Sequence, residues 1–252
     1  MTTQRNTRRS FMKAGALCAG GLMVTRAASA DNGSRKVGAP SPYDYPKPAF
    51  KKGSTILFQG DSITHGGRGR DPNHYMGHSY AYLIAARISA DLPQLDLKFL
   101  NRGISGNTVK DLAARWQRDT LDLKPDVLSI LIGVNGRFSF SAEEYKSTYS
   151  GLLDSTLAAL PNVTLVLCDP FVNAREKPGS RARVEVDKRR AIVKELARTY
   201  KAIHVPTQDM YDEAAKSSNP NYWIWDGVHP MPAGHELLAR RWINTVSEQL
   251  TD

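Results

Sequence analysis

The chain has 252 residues, which is enough for one α/β domain with a well-buried core. Its formal net charge of +9 is typical of a nucleic-acid-binding protein, but the first 30 residues contain five basic residues and no acidic one. The rest of the chain therefore carries a net charge of +4, and we expect no nucleic-acid partner.

The N-terminus contains the three parts of an export signal in order. Thr7–Lys13 (TRRSFMK) resembles the twin-arginine consensus, an apolar stretch follows from Ala14 to Val24, and Ala28–Ala30 has the small-x-small form of a cleavage site. The apolar stretch is too short and too rich in Gly and Ala to span a membrane. Cys18 lacks the small preceding residue that a lipoprotein signal needs. The sequence therefore predicts a twin-arginine-type signal peptide over residues 1–30, export to the periplasm or the extracellular space, and no stable membrane anchor.

Residues 31–52 are rich in Pro, Gly and charge, and their successive prolines predict an extended lead-in without helix. No internal repeat and no second shift in composition follow, so residues 53–252 predict a single domain. Cleavage after Ala30 would leave Cys168 as the only cysteine, and the mature chain would then have no internal disulfide. Cys168 ends an apolar run and is expected to be buried rather than reactive.

Short apolar runs alternate with helical patterns through this domain. The apolar runs predict five strands, at residues 55–58, 97–100, 127–132, 163–168 and 202–205. Helical patterns lie near residues 79–91, 107–118, 142–160, 187–200 and 233–249. Apolar strands that alternate with helices predict a parallel sheet covered on both faces, in a three-layer α/β/α sandwich. Ligands of such sheets bind beyond the carboxyl ends of the strands.

Polar segments occur at the predicted strand ends and near the C-terminus. They are Gly60–Thr64 (GDSIT), Asn101–Asn107 (NRGISGN), Gly133–Asn135 (GVN) and Asp226–Pro230 (DGVHP). Each is common by itself: such motifs often form turns or caps, and an Asp with a His can be half of a metal site. Their joint occurrence, in order and at strand ends, predicts a functional site.

These residue types match the needs of ester hydrolysis. A serine hydroxyl requires an adjacent base, a histidine suits that role near neutral pH, and a carboxylate orients the imidazole ring. Ser62, His229 and Asp226 could supply these three groups. Preorganised donors must also stabilise the oxyanion. Gly103 could offer a backbone N–H, since it has no Cβ to block close approach, and Asn135 could offer a side-chain amide.

The four segments together resemble the conserved blocks of the SGNH (GDSL) hydrolase family, and the resemblance spans nearly the whole domain. It implies a flavodoxin-like α/β/α fold with a five-stranded parallel sheet and acyl-ester hydrolysis through an acyl-enzyme. By resemblance, Ser62 is the nucleophile, His229 the general base and Asp226 its orienting partner. The implied oxyanion hole consists of the Ser62 N–H, the Gly103 N–H and the Asn135 side chain. One departure is Gly136, which stands where the family often has Asp.

A rival nucleophile occurs at Ser79, because Gly77–Ala81 (GHSYA) resembles a nucleophile elbow. That elbow requires a preceding strand, whereas the residues before it are polar and turn-like. Ser79 is therefore predicted to be the N-cap of the following helix.

The other histidines divide into two groups: His204 and His235 are predicted structural residues, whereas His65, His74 and His78 could line the site. No metal-binding spacing and no glycine-rich phosphate loop occurs, so neither a metal nor another cofactor is expected.

The residues around the predicted site indicate a polar, short-chain substrate. Asp61, His74, Tyr75 and Trp225 are the candidate substrate contacts, and Tyr222 and Trp223 lie beside them in sequence. The loop Gly66–Asp71 is polar, and no long apolar insertion is present to cover a fatty chain. Together with export, this predicts hydrolysis of a small-molecule or polysaccharide acyl ester, with acetyl as the favoured group. The alternatives are a lysophospholipase or thioesterase, and a carbohydrate-binding protein without turnover.

Overall fold

A five-stranded parallel sheet forms the centre of the protein in the computed structural model, which describes residues 45–69 and 75–250. The strands are β1 (Thr55–Gly60), β2 (Lys98–Asn101), β3 (Val127–Leu131), β4 (Thr164–Cys168) and β5 (Ile203–Val205). They lie in the order β2-β1-β3-β4-β5. The chain moves outward from β1 in one direction to β2 and in the other through β3 to β5. Such a reversal of strand order opens a crevice at the carboxyl ends of the strands.

Helices cover both faces of the sheet. They are α1 (Ser62–His65), α2 (Tyr80–Asp91), α3 (Val109–Asp119), α4 (Ala142–Ala159), α5 (Arg181–Thr199), α6 (Thr207–Ala214) and α7 (Pro232–Gln249). Side chains of α2, α6 and α7 share one hydrophobic cluster with the sheet, and side chains of α3, α4 and the second half of α5 share the other.

The three central strands, β1, β3 and β4, are mostly apolar because both of their faces are buried. In β1, Ile56 and Phe58 enter the cluster under α2 and α7, while Leu57 between them enters the cluster under α3 and α4. A polar contact also joins the sheet to its covering layer: Trp242 Nε1 on α7 donates to Ser129 Oγ on β3 at 2.9 Å. A buried polar atom without such a partner would destabilise the fold. The sequence pattern and the packing are therefore consistent with each other.

The predicted three-layer sandwich with five parallel strands is confirmed, and the differences lie at element ends and in short helices. Strand β1 continues to Gly60, and α5 begins at Arg181, six residues before its periodic apolar pattern becomes clear. Ser180 begins α5 by accepting a hydrogen bond from the Arg183 N–H. Helices α1 and α6 were not predicted, because four and eight residues are too few to show a helical period.

The described part of the lead-in packs against the domain. Residues 45–50 form neither helix nor strand, but Tyr45 Oη donates to Asp91 Oδ2 at 2.5 Å and the Ala49 N–H donates to the Leu250 carbonyl at 3.1 Å. Phe50 is buried in the cluster under α2 and α7. The packed part of the chain therefore begins before Gly53, the predicted start of the domain. Residues 1–44, which include the predicted signal peptide, lie outside the described residues.

Two further observations concern the described residues alone. None of the helices within residues 45–69 and 75–250 has both the length and the apolar character needed to cross a membrane. Cys168 is a free thiol inside the core, where burial raises its pKa to about 12. Because the thiolate is the reactive form of cysteine, this side chain is inert near neutral pH.

Candidate active site

Ser62 stands where β1 ends and α1 begins. The turn is tight: a Cβ on Gly60 would overlap both the Thr64 side chain and the Leu131 carbonyl, so only glycine fits. Asp61 caps α1, since its Oδ1 accepts a hydrogen bond from the Ile63 N–H at 3.0 Å. Within the described part of the chain, the Ser62 N–H has no hydrogen-bond partner, as is usual in the first turn of a helix. Ser62 is half-buried, and its backbone N–H remains available as a hydrogen-bond donor beside its hydroxyl.

Three side chains that are distant in sequence form one hydrogen-bonded chain. Ser62 Oγ lies 2.8 Å from His229 Nε2, and His229 Nδ1 lies 2.6 Å from Asp226 Oδ2. Burial raises the pKa of Asp226, but hydrogen bonds from the His229 ring and from nearby backbone N–H groups lower it further, so the net shift is downward. The ionised carboxylate only accepts, so it favours the tautomer with the proton on Nδ1. Nε2 is then free to accept the Ser62 proton.

The loop that carries Asp226 and His229 is held by its own turn. The second carboxylate oxygen, Asp226 Oδ1, accepts hydrogen bonds from the backbone N–H groups of Val228 at 3.1 Å and His229 at 2.9 Å. The Trp225 N–H donates to the His229 carbonyl at 3.2 Å, and an antiparallel bridge joins Ile224 to Pro230. The three-residue spacing between Asp226 and His229 thus closes a compact turn with both side chains on one side.

Asn173 fastens this turn to the loop after β4, and sequence analysis did not find it. Its N–H donates to the Gly227 carbonyl at 2.8 Å, and its Nδ2 donates to the Ile224 carbonyl at 2.5 Å and to Asn221 Oδ1 at 3.0 Å. Its own Oδ1 accepts from the Arg175 N–H at 2.9 Å. Asn173 is fully buried, so these bonds replace water completely. The sequence signal was present, because Asn173 also follows the carboxyl end of a predicted strand.

The predicted oxyanion donors differ in their availability. Asn135 Nδ2 donates to the Asn107 carbonyl at 3.1 Å, which fixes the amide and leaves its other N–H unspent. The Gly103 N–H is instead engaged by Asn101 Oδ1 at 2.9 Å, and a Cβ at Gly103 would overlap the backbone of His65. Gly103 is therefore a close-packing glycine against α1, which corrects the prediction of a free donor.

Gly106, the second glycine of the same segment, has the properties expected of the missing donor. Its φ of +82° is left-handed, a conformation that glycine adopts without strain. Its N–H has no hydrogen-bond partner within residues 45–69 and 75–250. It directly precedes Asn107, whose carbonyl receives the Asn135 amide. The predicted segment Asn101–Asn107 contains both glycines, and the sequence prediction considered only Gly103.

Gly136, the departure from the family pattern, is required by the shape of its loop. Its φ is +68°, and a Cβ at this position would overlap the Phe140 ring. An Asp here would be both strained and displaced by the ring. This position of the loop therefore requires glycine, and because glycine has no side chain, contacts from other residues must hold the loop in place.

The four candidate substrate contacts have different outcomes. Asp61 is only 1% exposed and caps α1, so it cannot contact a substrate, which corrects the prediction. Trp225 is 59% exposed, and its ring stacks beside the His229 ring at a centroid distance of 6.5 Å and an angle of 27°. Tyr75 is likewise exposed, next to Gly69. His74 lies outside the described residues.

Ser79, His235 and His204 make hydrogen bonds within the fold. Ser79 is fully buried, and its hydroxyl donates to the Thr64 carbonyl at 2.8 Å. It takes the predicted N-cap position of α2, although its side chain makes no cap hydrogen bond. His235 Nδ1 accepts from the Tyr80 N–H at 3.2 Å, and burial lowers the pKa of His235 to about 4. His204 Nε2 lies 2.7 Å from Asp169 Oδ1.

His65 and His78 lie in the loop after Ser62. His65 Nδ1 accepts from the Gly67 N–H at 3.1 Å, and His78 is exposed. Among the residues that the structure describes, no three His, Cys, Asp or Glu side chains gather in a way that could hold a metal ion.

Comparison with known proteins agrees with this geometry. Residues 58–237 match the model of the GDSL-like lipase/acylhydrolase family. The chain belongs to this family. It is 34% identical over 208 residues to an acetylxylan esterase of Geobacillus stearothermophilus, covering 77% of this chain and 94% of that protein. A solved structure of an acetylxylan esterase from the same organism has a TM-score of 0.72 at 32% identity, covering 78% of this chain and 95% of the other.

A second solved structure, of a protein described as a GDSL-like lipase from Parabacteroides merdae, has a TM-score of 0.75 at 37% identity. It covers 80% of this chain and 99% of the other. Family, relatives and site geometry together make this protein a carboxylic ester hydrolase.

The buried carboxyl of Asp61 makes the stability of the esterase depend on pH. Burial raises the pKa of Asp61 to about 7, against the lowering effects of the Ile63 N–H and the nearby His229. The folded protein therefore holds a proton that the unfolded chain loses near pH 4, and the free energy of unfolding falls as pH rises from about 4 through about 7. Asp61→Asn keeps the cap and cannot ionise. We expect its stability relative to wild type to rise by roughly 2–4 kcal/mol between about pH 4 and about pH 8.

Urea unfolding across this pH range measures the difference. The exposed Asp96→Asn provides the control, and we expect its difference from wild type to stay constant. A constant difference for Asp61→Asn as well would show that Asp61 is ionised at all of these pH values.

Proposed function

We propose that the esterase removes short acyl groups, above all acetyl, from carbohydrates, through an acyl-enzyme formed on Ser62. The observation that carries this proposal is the hydrogen-bonded chain from Ser62 through His229 to Asp226, with distances of 2.8 and 2.6 Å, beside the exposed Trp225 ring. Hydrogen-bond distances from nucleophile to base and from base to carboxylate are what serine catalysis requires.

The proposed reaction has two halves that use the same proton carrier. Ser62 Oγ attacks the ester carbonyl while His229 Nε2 takes its proton, and Asp226 stabilises the resulting imidazolium. His229 then gives this proton to the departing sugar oxygen, which is released as a hydroxyl group. The acyl group remains on Ser62. Water attacks the acyl-enzyme, His229 takes a proton from the water, and the acid is released as that proton returns to Ser62.

Three donors would stabilise the oxyanion in each half. They are the Ser62 N–H, the unspent Asn135 amide proton and the Gly106 N–H, which replaces the Gly103 donor of the sequence prediction. Each such donor typically contributes about 10²–10³ in rate. The Asn135 amide donates to the carbonyl of Asn107, the residue after Gly106, so one hydrogen bond joins the loops that carry two of these three donors.

Carbohydrate is supported by the surroundings of the triad and by the relatives. Trp225, on the turn that carries Asp226 and His229, and Tyr222, three residues before it in sequence, are each 59% exposed, and exposed aromatic rings can stack on sugar rings. The relative from Geobacillus stearothermophilus is named an acetylxylan esterase. An acetylated β-linked glycan such as xylan is therefore the substrate class that we propose.

The two alternatives have less support. A lysophospholipase or thioesterase needs an apolar channel for a long acyl chain. The structure has an apolar cavity of about 630 Å³, but α2 and β2 residues such as Ala85 and Phe99 line it, and none of the triad residues does. A carbohydrate-binding protein without turnover would not need Ser62, His229 and Asp226 within hydrogen-bond distance of each other.

Turnover of p-nitrophenyl esters from acetate to palmitate tests the nucleophile and the acyl length. We expect wild-type kcat/KM to fall as the chain lengthens, and Ser62→Ala to lose at least about 10⁴-fold on the acetate ester, because it removes the hydroxyl that lies at His229 Nε2. Ser79→Ala is the matched control and should retain turnover. An optimum at long chains would contradict the short-chain proposal, and an active Ser62→Ala would contradict the nucleophile.

Removal of the Trp225 ring tests the substrate class. Trp225→Ala should lower kcat/KM on acetylated xylo-oligosaccharides by about 3- to 10-fold, since a ring contact contributes about 0.5–1.5 kcal/mol. Turnover of p-nitrophenyl acetate should change little, because that substrate has no sugar to stack. Tyr82→Ala, which removes an exposed ring on α2, is the control. Equal losses of Trp225→Ala on both substrates would mean that the ring supports His229 rather than the sugar.

We also propose that the twin-arginine pathway exports the enzyme, with cleavage after Ala30. The support is the order of the Arg8-Arg9 pair, the apolar stretch and the small residues. Replacement of Arg8 and Arg9 by Lys should abolish export while the charge stays constant, and cell fractionation with N-terminal sequencing measures this. Lys at Arg5 and Arg26 is the control. Equal export of both variants would exclude a twin-arginine signal.

A further inference from the structure

Arg189 is a fully buried guanidinium on α5, and the proposed reaction does not use it. A buried charge destabilises a protein unless hydrogen bonds and an opposite charge compensate for lost water. Arg189 Nη1 meets both needs within α5, through the Glu185 carbonyl at 3.0 Å and Glu185 Oε2 at 3.2 Å. Its Nη2 makes its hydrogen bonds outside α5, so these bonds identify the segment that the side chain stabilises.

Arg189 Nη2 holds the loop that follows β3. It donates to the Phe140 carbonyl at 3.0 Å and, more weakly, to the Gly136 carbonyl at 3.4 Å. The Ser139 and Phe140 N–H groups also donate to the Gly136 carbonyl, at 2.9 and 3.3 Å. The guanidinium therefore closes a turn whose first residue directly follows Asn135.

The same guanidinium also faces two rings that border this loop. It lies 5.7 Å from the centroid of Phe140, the ring that covers Gly136, and 5.6 Å from the centroid of Tyr145. Tyr145 Oη donates to the Ile132 carbonyl at 2.9 Å. The backbone on both sides of Asn135 is thus tied, directly or through one ring, to Arg189.

We propose that Arg189 is a positioning residue for the oxyanion hole, which acts by holding the loop that aims the Asn135 amide. Gly136 has no side chain to hold this loop, and a glycine backbone is free to adopt other conformations, so the contacts of Arg189 with the Gly136 and Phe140 carbonyls limit how the turn can move. The inference rests on the proposed role of Asn135 as an oxyanion donor. A misplacement of about 1 Å can cost about 10²-fold in rate, so a loosened loop should lower kcat without removing any group that touches the substrate.

A double-mutant cycle on p-nitrophenyl acetate turnover tests the proposal. Asn135→Ala should lower kcat by about 10²–10³-fold. Arg189→Met, which keeps the volume and removes the donors, should lower kcat by at least about 10-fold with KM within about two-fold of wild type. In the Asn135→Ala background the same substitution should change kcat by less than about two-fold, because there is no amide left to aim.

Arg190→Met is the matched control on the same helix. Arg190 donates to Asp187 at 2.7 Å, Asp209 at 2.5 Å and Asp169 at 3.5 Å, and none of these is in the loop after β3. We expect Arg190→Met to lower the unfolding temperature and leave kcat unchanged. Arg189→Lys, which retains the charge but has a single donor nitrogen in place of the two Nη groups, is the second variant and enters the same cycle if Arg189→Met does not fold.

The outcomes separate this proposal from the proposed function. An unchanged kcat for Arg189→Met or Arg189→Lys, or an equal loss of kcat with and without Asn135, overturns the positioning role. A wild-type kcat for Asn135→Ala alone overturns the oxyanion assignment, and the positioning role with it. An equal fall in kcat for Arg190→Met would also overturn the proposal, because loss of any ion-paired arginine on α5 would then have the same effect.

Discussion

The parallel pairing of β1 with β3 is the constraint on which the rest of the site depends. These strands are separated in sequence by β2 and three α-helices, yet they are neighbours in the sheet, with Gly60 opposite Leu131 at their carboxyl ends. Ser62 follows the first of these ends and Asn135 the second, so one register places the proposed nucleophile and the proposed oxyanion donor on adjacent loops. A slip of this register by one residue would separate the two groups and move the side chains of one strand to the opposite covered face of the sheet.

The second requirement is that the loop before α7, which carries His229, comes within hydrogen-bond distance of Ser62 after β1. His229 lies 167 residues after Ser62 in sequence, and the hydrogen bond between them closes the site. Two devices hold the His229 loop: its own turn, closed by Asp226 Oδ1, and Asn173, which joins it to the loop after β4. Helix α7 follows directly and packs on the sheet through Trp242, so the loop is anchored at both ends.

Burial of polar groups is the recurring means by which this fold supports its site. Asp61, Asn173 and Arg189 are all buried, and none of them can reach a substrate. Each uses its hydrogen bonds on the backbone of a loop that presents a reactive group: Asp61 on the turn of Ser62, Asn173 on that of His229, and Arg189 on that of Asn135. Unsatisfied polar groups are costly inside a protein, so each of these contacts resists opening.

The sequence by itself determined the sheet, its layers, the family and the residues that meet as Ser62, His229 and Asp226, because apolar periodicity and short motifs are local signals. Only the tertiary structure distinguished Gly106 from Gly103 as the proposed backbone donor to the oxyanion, since it shows that the Asn101 side chain already accepts from the Gly103 N–H. It also placed Asp61 and Ser79 inside the protein and revealed Asn173 and Arg189. Such roles arise from hydrogen bonds between segments far apart in the chain, which leave no pattern in any one segment.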